Sequence, residues 1–258
     1  MKKESKMKLV VANWKMNPRS LKEAQKTLVD FKKQKPVMKN VTTVFCPPFQ
    51  YIYDLKKNNK NPKIFFGAQD IFYEKEGAFT GEISASMIKE MGARFTIIGH
   101  SERRLLGESN DVIAKKVLIS LVEGFHTILC IGEQERDFEG KYLKELTEQI
   151  KKSLEGVTAN LTKKLIIAYE PVWAIGDGKK SMDYQEMHFI SLFIKKQLIK
   201  IFNRKVSEQI SILYGGSVNS ENSSQFVSES GCDGLLVGRA SLNPFEFCKI
   251  VNNVSKTT

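Results

Sequence analysis

Long apolar runs are missing from this sequence. No window approaches the roughly 18 apolar residues that a membrane-spanning helix needs, so we predict no membrane partner. The first residues, Met1 to Lys3, carry the positive charge of a secretory signal, but only residues 9–12 form an apolar stretch before Asn13. A signal peptide needs an apolar core of about 7–15 residues. We therefore expect a cytoplasmic protein.

Closely spaced cysteine pairs are also missing. The four cysteines contain no Cys-x-x-Cys pair, which argues against a zinc knuckle or a redox dithiol; they are Cys46, Cys130, Cys232 and Cys248. Reduced, mostly buried thiols are expected, as in a cytosolic protein. The glycine-containing residues 176–179 match neither of the glycine-rich nucleotide-binding patterns.

Acidic residues are fewer than basic ones. The chain has 40 Lys and Arg against 29 Asp and Glu, a formal net charge of +11. This charge favours acidic ligands or polyanionic surfaces without distinguishing them. Because no stripe of basic residues interleaved with aromatic residues is present, we predict no specific nucleic-acid partner.

Short apolar runs repeat along the chain, and each suits a strand that is buried on both faces. Segments with the spacing of amphipathic helices lie between them. This alternation predicts parallel strands joined by right-handed crossovers. The eight runs are at 9–12, 41–45, 64–66, 95–98, 127–130, 165–168, 210–213 and 235–237.

Two α/β architectures can use eight such units, an open doubly wound sheet and a closed (βα)8 barrel. The even spacing of the runs and the absence of a Pro/Gly-rich linker favour the closed barrel, whose usual length is about 250 residues. We therefore predict a single-domain (βα)8 barrel of the α/β class. It would span residues 8–258 as the catalytic domain, after a flexible N-terminal extension at 1–7.

One predicted strand delivers a carboxylate to its end. The strand stops at Glu170, because Pro171 cannot continue the pairing. Residues 172–175 are apolar and are followed by two glycines, an unusual composition for a loop. We predict that this segment forms a lid over Glu170. A carboxylate removed from water is a stronger base. The alternative is a solvated glutamate before an ordinary turn.

Residues just after the strands of a closed parallel barrel share one rim, where active sites form. His100 follows the fourth run, and a helix that begins just after it would keep the imidazole neutral. His126 precedes the fifth run, at the opposite rim, and His188 lies within a predicted helix. Two further carboxylates at the site rim are expected to be structural, paired with Lys15 or with arginines. They are Glu102 and Glu133.

Glycine-containing turns follow the seventh and eighth runs, at 215–217 and 238–241. Helices are expected to begin soon afterwards, at 219–220 and at Asn243-Pro244. Backbone amides and helix N-termini in this place form a cradle for an anion. Because phosphate sites recur after the last two strands of such barrels, we predict a phosphate ligand.

Five motifs in this chain closely resemble those of the triosephosphate isomerases, in register from about residue 10 to residue 247. They are Asn13-Trp14-Lys15-Met16-Asn17, Gly77-Ala78-Phe79-Thr80-Gly81-Glu82, Gly99-His100-Ser101-Glu102-Arg103-Arg104, Ala168-Tyr169-Glu170-Pro171-Val172-Trp173-Ala174-Ile175-Gly176 and Tyr214-Gly215-Gly216-Ser217-Val218.

The resemblance implies a TIM-barrel isomerase that interconverts dihydroxyacetone phosphate and D-glyceraldehyde 3-phosphate, in glycolysis and gluconeogenesis, without a metal or an organic cofactor. Glu170 would move a proton between neighbouring carbons, and neutral His100 would stabilise the enediolate. Lys15 would supply a positive field, and Asn13 would help to hold the substrate oxygens. The lid would have hinges at 171–173 and 179–181.

By the same resemblance, the substrate-binding residues would be Asn13, Trp14, Lys15, Gly176, Ser217, Gly238 and Arg239, the last four through backbone N–H groups. The family commonly has a second glycine where this chain has Arg239. We predict that the Arg239 side chain points outward while its N–H binds phosphate. Direct contact between the guanidinium and phosphate is the alternative.

The resemblance also implies a homodimer. The loop at 77–82 is too apolar at Phe79 for a solvated tip, and it would enter the neighbouring subunit, where Thr80 supports the neighbour's site. The alternative is a loop folded on its own barrel. Two rival functions stay open at this point: another phosphosugar isomerase or epimerase on the same barrel, and an inactive barrel that binds polyanions.

Overall fold

A closed barrel of eight parallel strands forms the centre of the molecule. The computed structural model describes residues 7–137, 139–176 and 181–257. The strands follow one another in sequence order, and the last is hydrogen-bonded to the first. They are β1 (Lys8–Asn13), β2 (Val41–Cys46), β3 (Ile64–Ala68), β4 (Phe95–Ile98), β5 (His126–Ile131), β6 (Leu165–Tyr169), β7 (Ser211–Tyr214) and β8 (Gly234–Val237). The predicted (βα)8 barrel is confirmed.

Helices cover the outside of the barrel. Two of the connections, after β4 and after β6, contain two consecutive helices where one was expected. In the described part of the chain the helices are α1 (Leu21–Lys33), α2 (Ile52–Lys57), α3 (Ala85–Glu90), α4 (Ser101–Leu105), α5 (Asn110–Val122), α6 (Lys141–Ser153), α7 (Tyr184–Ile201), α8 (Arg204–Gln209), α9 (Ser223–Ser228) and α10 (Pro244–Lys256).

Alternate strand residues face two different cores, because successive side chains of a strand point to opposite faces. In β1, Val11 lies in the cluster that fills the barrel, whereas Val10 packs in the layer between strands and helices. The barrel interior also holds Cys46 and Cys130, which are wholly buried. Both faces of the strands are therefore dry, which explains their nearly continuous apolar sequences.

Local signals set the ends of several helices. Gly92 and Gly124 follow α3 and α5 with φ of +87°, the left-handed conformation that glycine adopts easily. Asn243 caps α10 by accepting the N–H groups of Phe245 and Glu246, and Pro244 is its first residue. The helix expected at 219–220 begins later, at Ser223. A short 3-10 helix, Arg239–Leu242, lies between β8 and α10.

The N-terminal extension predicted at 1–7 falls outside the described residues except for Met7, whose residue surface is 50% exposed. Its boundary with the barrel stays a prediction. Among the helices of the described ranges, none combines the length and the apolar character needed to cross a membrane.

Candidate active site

A cavity of about 760 Å³ opens at the carboxyl ends of the strands. The strands run in parallel, so the residues that follow them converge there from distant parts of the sequence. Every residue predicted to be catalytic or to bind substrate lines this cavity, namely Asn13, Trp14, Lys15, His100, Glu170, Gly176, Ser217, Gly238 and Arg239. The two supporting residues, Glu102 and Thr80, are not part of its lining.

Glu170 is the first residue after β6 and is only 2% exposed. Its Oε1 lies 3.1 Å from Nε2 of His100, and its Oε2 accepts the backbone N–H of Ser101 at 3.0 Å. Two glycines make room for it. A Cβ at Gly132 would collide with the Glu170 backbone, and one at Gly215 would lie 2.9 Å from Glu170 Cγ. The carboxylate is thus buried and held by two contacts at the wall of the cavity, in a position from which it can act as a general base.

His100 is the N-cap residue of α4 and is 7% exposed. Its Nδ1 accepts the backbone N–H of Glu102 at 3.2 Å. A nitrogen that accepts a hydrogen bond carries no proton, so the proton of the neutral ring is on Nε2. The imidazole therefore presents an N–H donor towards Glu170 and the cavity.

Lys15 has a left-handed backbone, with φ of +53°, which is uncommon for a residue with a side chain. Its N–H donates to Asn13 Oδ1 at 3.0 Å, and its carbonyl accepts from Gln69 Nε2 at 2.8 Å. The ammonium group is 2.6 Å from Glu102 Oε1, the partner expected from the sequence. These contacts hold a cation at the mouth of the barrel. The sequence does not indicate that Gln69 would hold the Lys15 backbone.

The segment predicted to form a lid begins with a single 3-10 turn, Val172–Ala174. Trp173 Nε1 donates to Glu133 Oε1 at 2.8 Å, and the Tyr169 hydroxyl donates to the same carboxylate. Glu133 is wholly buried and pairs with Arg136, whose guanidinium also lies over the Trp173 ring. Burial and the adjacent Glu133 charge raise the pKa of Tyr169. Glu133 therefore holds Trp173 of the predicted lid, a contact the sequence did not reveal. Residues 179 and 180 of the second hinge lie outside the described residues.

The expected phosphate end of the cavity contains Ser217, Gly238 and Arg239. The 3-10 helix begins at Arg239, beside this end of the cavity. Arg239 is an exposed residue.

Trp14 differs from the other predicted substrate-binding residues, because its side chain is wholly buried. Its ring packs edge-on against the ring of Phe45, with 5.5 Å between the centroids. It supports the wall of the cavity.

Thr80 belongs to an exposed loop, residues 77–82, and lies outside this chain's own cavity. A separate groove of about 310 Å³ lies beside the mouth, between the base of that loop and Met16. Its lining includes Lys15 and Gln69, so whatever fills this groove contacts the same residues that shape the active cavity.

The fold and the site define a class, the (βα)8-barrel enzymes that catalyse at the carboxyl ends of their strands. A family model described as "Triosephosphate isomerase" matches residues 8–254. Proteins named triosephosphate isomerase from Aquifex aeolicus and Dictyoglomus turgidum are 44% and 40% identical, each over 95% of this chain and over 98% and 99% of their own lengths. The one from Borrelia garinii is 40% identical over 95% of this chain and 98% of its own. The chain belongs to the triosephosphate isomerase family and is an isomerase.

Proposed function

We propose that this chain interconverts dihydroxyacetone phosphate and D-glyceraldehyde 3-phosphate through an enediolate, the glycolytic and gluconeogenic reaction of its family. One observation carries the proposal. A buried carboxylate and a buried imidazole lie 3.1 Å apart, at Glu170 and His100, on the wall of one cavity. That pair supplies the two groups that an aldose–ketose isomerisation requires.

The proton transfer needs both groups at once. Glu170 removes a proton from the carbon next to the carbonyl and returns it to the neighbouring carbon. The charge that develops on the substrate oxygens is stabilised by the Nε2–H of His100, by the ammonium of Lys15 and by the amide of Asn13. A positioned base contributes about 10²–10⁴-fold and one oxyanion donor about 10²–10³-fold, so neither accounts for such catalysis alone. This chemistry requires no metal or organic cofactor.

The backbone N–H groups of Gly176, Ser217, Gly238 and Arg239 hold the phosphate. Gly176 belongs to the lid, so binding of phosphate favours closure. A closed lid excludes water from the enediolate and prevents elimination of its phosphate. Ser217 links the lid to the cradle, since its hydroxyl donates to the carbonyl of Ala174 at 2.9 Å.

The active form is a homodimer joined through the loop at 77–82. Phe79 is 41% exposed at the tip of this loop, and Met16 beside the cavity is 93% exposed, which leaves apolar surface for a partner to cover. The groove between them accepts the loop of a second copy. Thr80 then supports the neighbour's Asn13, Lys15 and His100. The location is the cytoplasm, where glycolytic intermediates are found.

A coupled assay of Glu170→Gln on glyceraldehyde 3-phosphate tests the proposed function. Loss of the base is expected to lower kcat by about 10²–10⁴-fold with KM little changed, because the amide keeps the shape of the side chain but accepts no proton. Glu155→Gln is the matched control, since Glu155 is exposed and precedes β6 at the opposite end of the barrel. Unchanged turnover of Glu170→Gln, or activity confined to pentose or amino-sugar phosphates, would contradict the proposal.

A further inference from the structure

The first turn of α4 orients both reacting side chains. The N–H of Ser101 holds Glu170 Oε2 at 3.0 Å, and the N–H of Glu102 holds His100 Nδ1 at 3.2 Å. Helix α4 has only five residues, and so short a helix does not fix its own direction. Whatever anchors α4 therefore sets the placement of the carboxylate relative to the imidazole.

Arg104, in the last turn of α4, bridges three separate parts of the barrel. Its Nε donates to the carbonyl of Gly99 at 2.8 Å, its Nη1 to Asn110 Oδ1 at 2.7 Å and its Nη2 to the carbonyl of Cys130 at 3.1 Å. Gly99 is the residue before His100, Asn110 begins α5, and Cys130 lies in β5. The guanidinium thus connects the turn before His100 to a second helix and a second strand.

The backbone conformation at Gly99 allows the Arg104 guanidinium to approach closely. Gly99 has φ of +72°, and a Cβ at this position would lie 3.2 Å from both Arg104 Nη2 and the Cys130 carbonyl oxygen. A side chain at residue 99 would therefore push the guanidinium away or strain the backbone. The glycine permits the close approach, and the approach holds the Gly99–His100 peptide in place.

We propose that Arg104 is a positioning residue for the isomerisation, which acts by fixing the Gly99–His100 turn and the start of α4. The inference rests on the proposed roles of Glu170 and His100. Arg104 itself contacts neither side chain by a hydrogen bond in the described structure, and its three acceptors are neutral oxygens. Its contribution therefore comes from the geometry of its donors.

Burial lowers the pKa of the Arg104 guanidinium, and the charge of Glu170 is among those that oppose this shift. The group stays charged, because a guanidinium does not lose its proton under these conditions. Lysine at this position would keep the charge but would replace the fork of donors with a single ammonium. Arg104→Lys consequently separates the role of shape from the role of charge.

The test compares full-length wild type, Arg104→Lys and Arg104→Met. We expect both variants to lower kcat by about 10- to 100-fold, with KM within about threefold of wild type, because a small displacement of reacting groups impairs chemistry more than binding. The ¹⁵N resonances of the His100 ring should move in the folded variants, as the Glu102 N–H leaves Nδ1. Arg204→Lys is the matched control, since Arg204 is an exposed arginine in a surface ion pair with Glu208.

A folded Arg104→Met or Arg104→Lys enzyme with wild-type kcat and unshifted His100 resonances would overturn the inference. If neither variant folds, Asn110→Ala decides, because it removes one of the three acceptors. We expect it to lower kcat by about threefold or more and to shift the same resonances; no change in either would also overturn the inference. Loss of turnover in Glu170→Gln together with full turnover in the Arg104 variants would refute the role of Arg104 and leave the proposed function standing. Retained turnover in Glu170→Gln would refute the proposed function.

Discussion

At the scale of single residues, Arg239 is the one charged residue predicted to bind phosphate through its backbone N–H. We predict that Arg239→Gly and Arg239→Met keep kcat near that of wild type and raise KM by no more than about fivefold, because the backbone N–H binds phosphate while the exposed charge only attracts it. Kinetics at low and high salt are the measurement. The KM of wild type should depend more steeply on salt than that of either variant, since screening weakens attraction between exposed charges.

The control for this prediction is Arg204→Met, which removes the same charge from an exposed position at the start of α8, before β7, and should leave KM and its salt dependence unchanged. A loss of affinity of about 100-fold or more in Arg239→Met would contradict the prediction, because a change of that size requires direct contact between guanidinium and phosphate.

Some site residues are predictable from sequence because their position depends only on strand order. Glu170 and His100 each follow a strand, so they share a rim once the barrel closes. Glu133 was expected at this rim as a structural carboxylate, but its bond from Trp173 and the Ser101 N–H that holds Glu170 were not predictable. Both contacts depend on the distance between residues of different strand–helix units, which no local spacing contains.

At the scale of elements, the lid carries one of the two tryptophans of the chain. Trp173 is half-buried in the lid, whereas Trp14 is wholly buried in the core. If the lid moves when phosphate binds, the fluorescence change on adding inorganic phosphate should come from Trp173. We therefore predict that most of this change is lost in Trp173→Phe and kept in Trp14→Phe. The measurement is a fluorescence titration of the three proteins.

A fluorescence change that survives in Trp173→Phe and disappears in Trp14→Phe would contradict the lid assignment. Phenylalanine keeps an aromatic ring at both positions, although at residue 173 it also removes the hydrogen bond to Glu133. The elements themselves were largely predictable: the strand boundaries agree within two residues, because buried strands have continuous apolar sequences. The late start of α9 and the doubled helices after β4 and β6 were missed, since turn geometry decides them.

At the scale of the whole molecule, the apolar tip of the loop at 77–82 predicts the assembly. Wild type should sediment at twice the chain mass of 29.3 kDa. Phe79→Asp should sediment as a monomer and lose about 100-fold or more in kcat, because Thr80 no longer supports the neighbour's site. Analytical ultracentrifugation and steady-state kinetics on the same samples are the measurements.

Phe189→Asp is the control for this prediction, since Phe189 is 51% exposed on α7, away from the loop. It should leave both mass and turnover unchanged. A fully active wild-type monomer would contradict the dimer, and so would an active dimer of Phe79→Asp. The fold of the subunit was predictable because each segment shows its own pattern of burial, whereas the assembly is predicted only from the family resemblance and from one exposed apolar loop tip.

The central claim is that Glu170 and His100 act on one three-carbon phosphate, and a crystal structure with glycerol 3-phosphate tests it most directly. The account predicts phosphate on the N–H groups of Ser217, Gly238 and Arg239, with the ligand carbons within about 3.5 Å of the Glu170 carboxylate and an oxygen on His100 Nε2. A ligand bound in another cavity, or bound here with its carbons turned away from Glu170, would contradict the account.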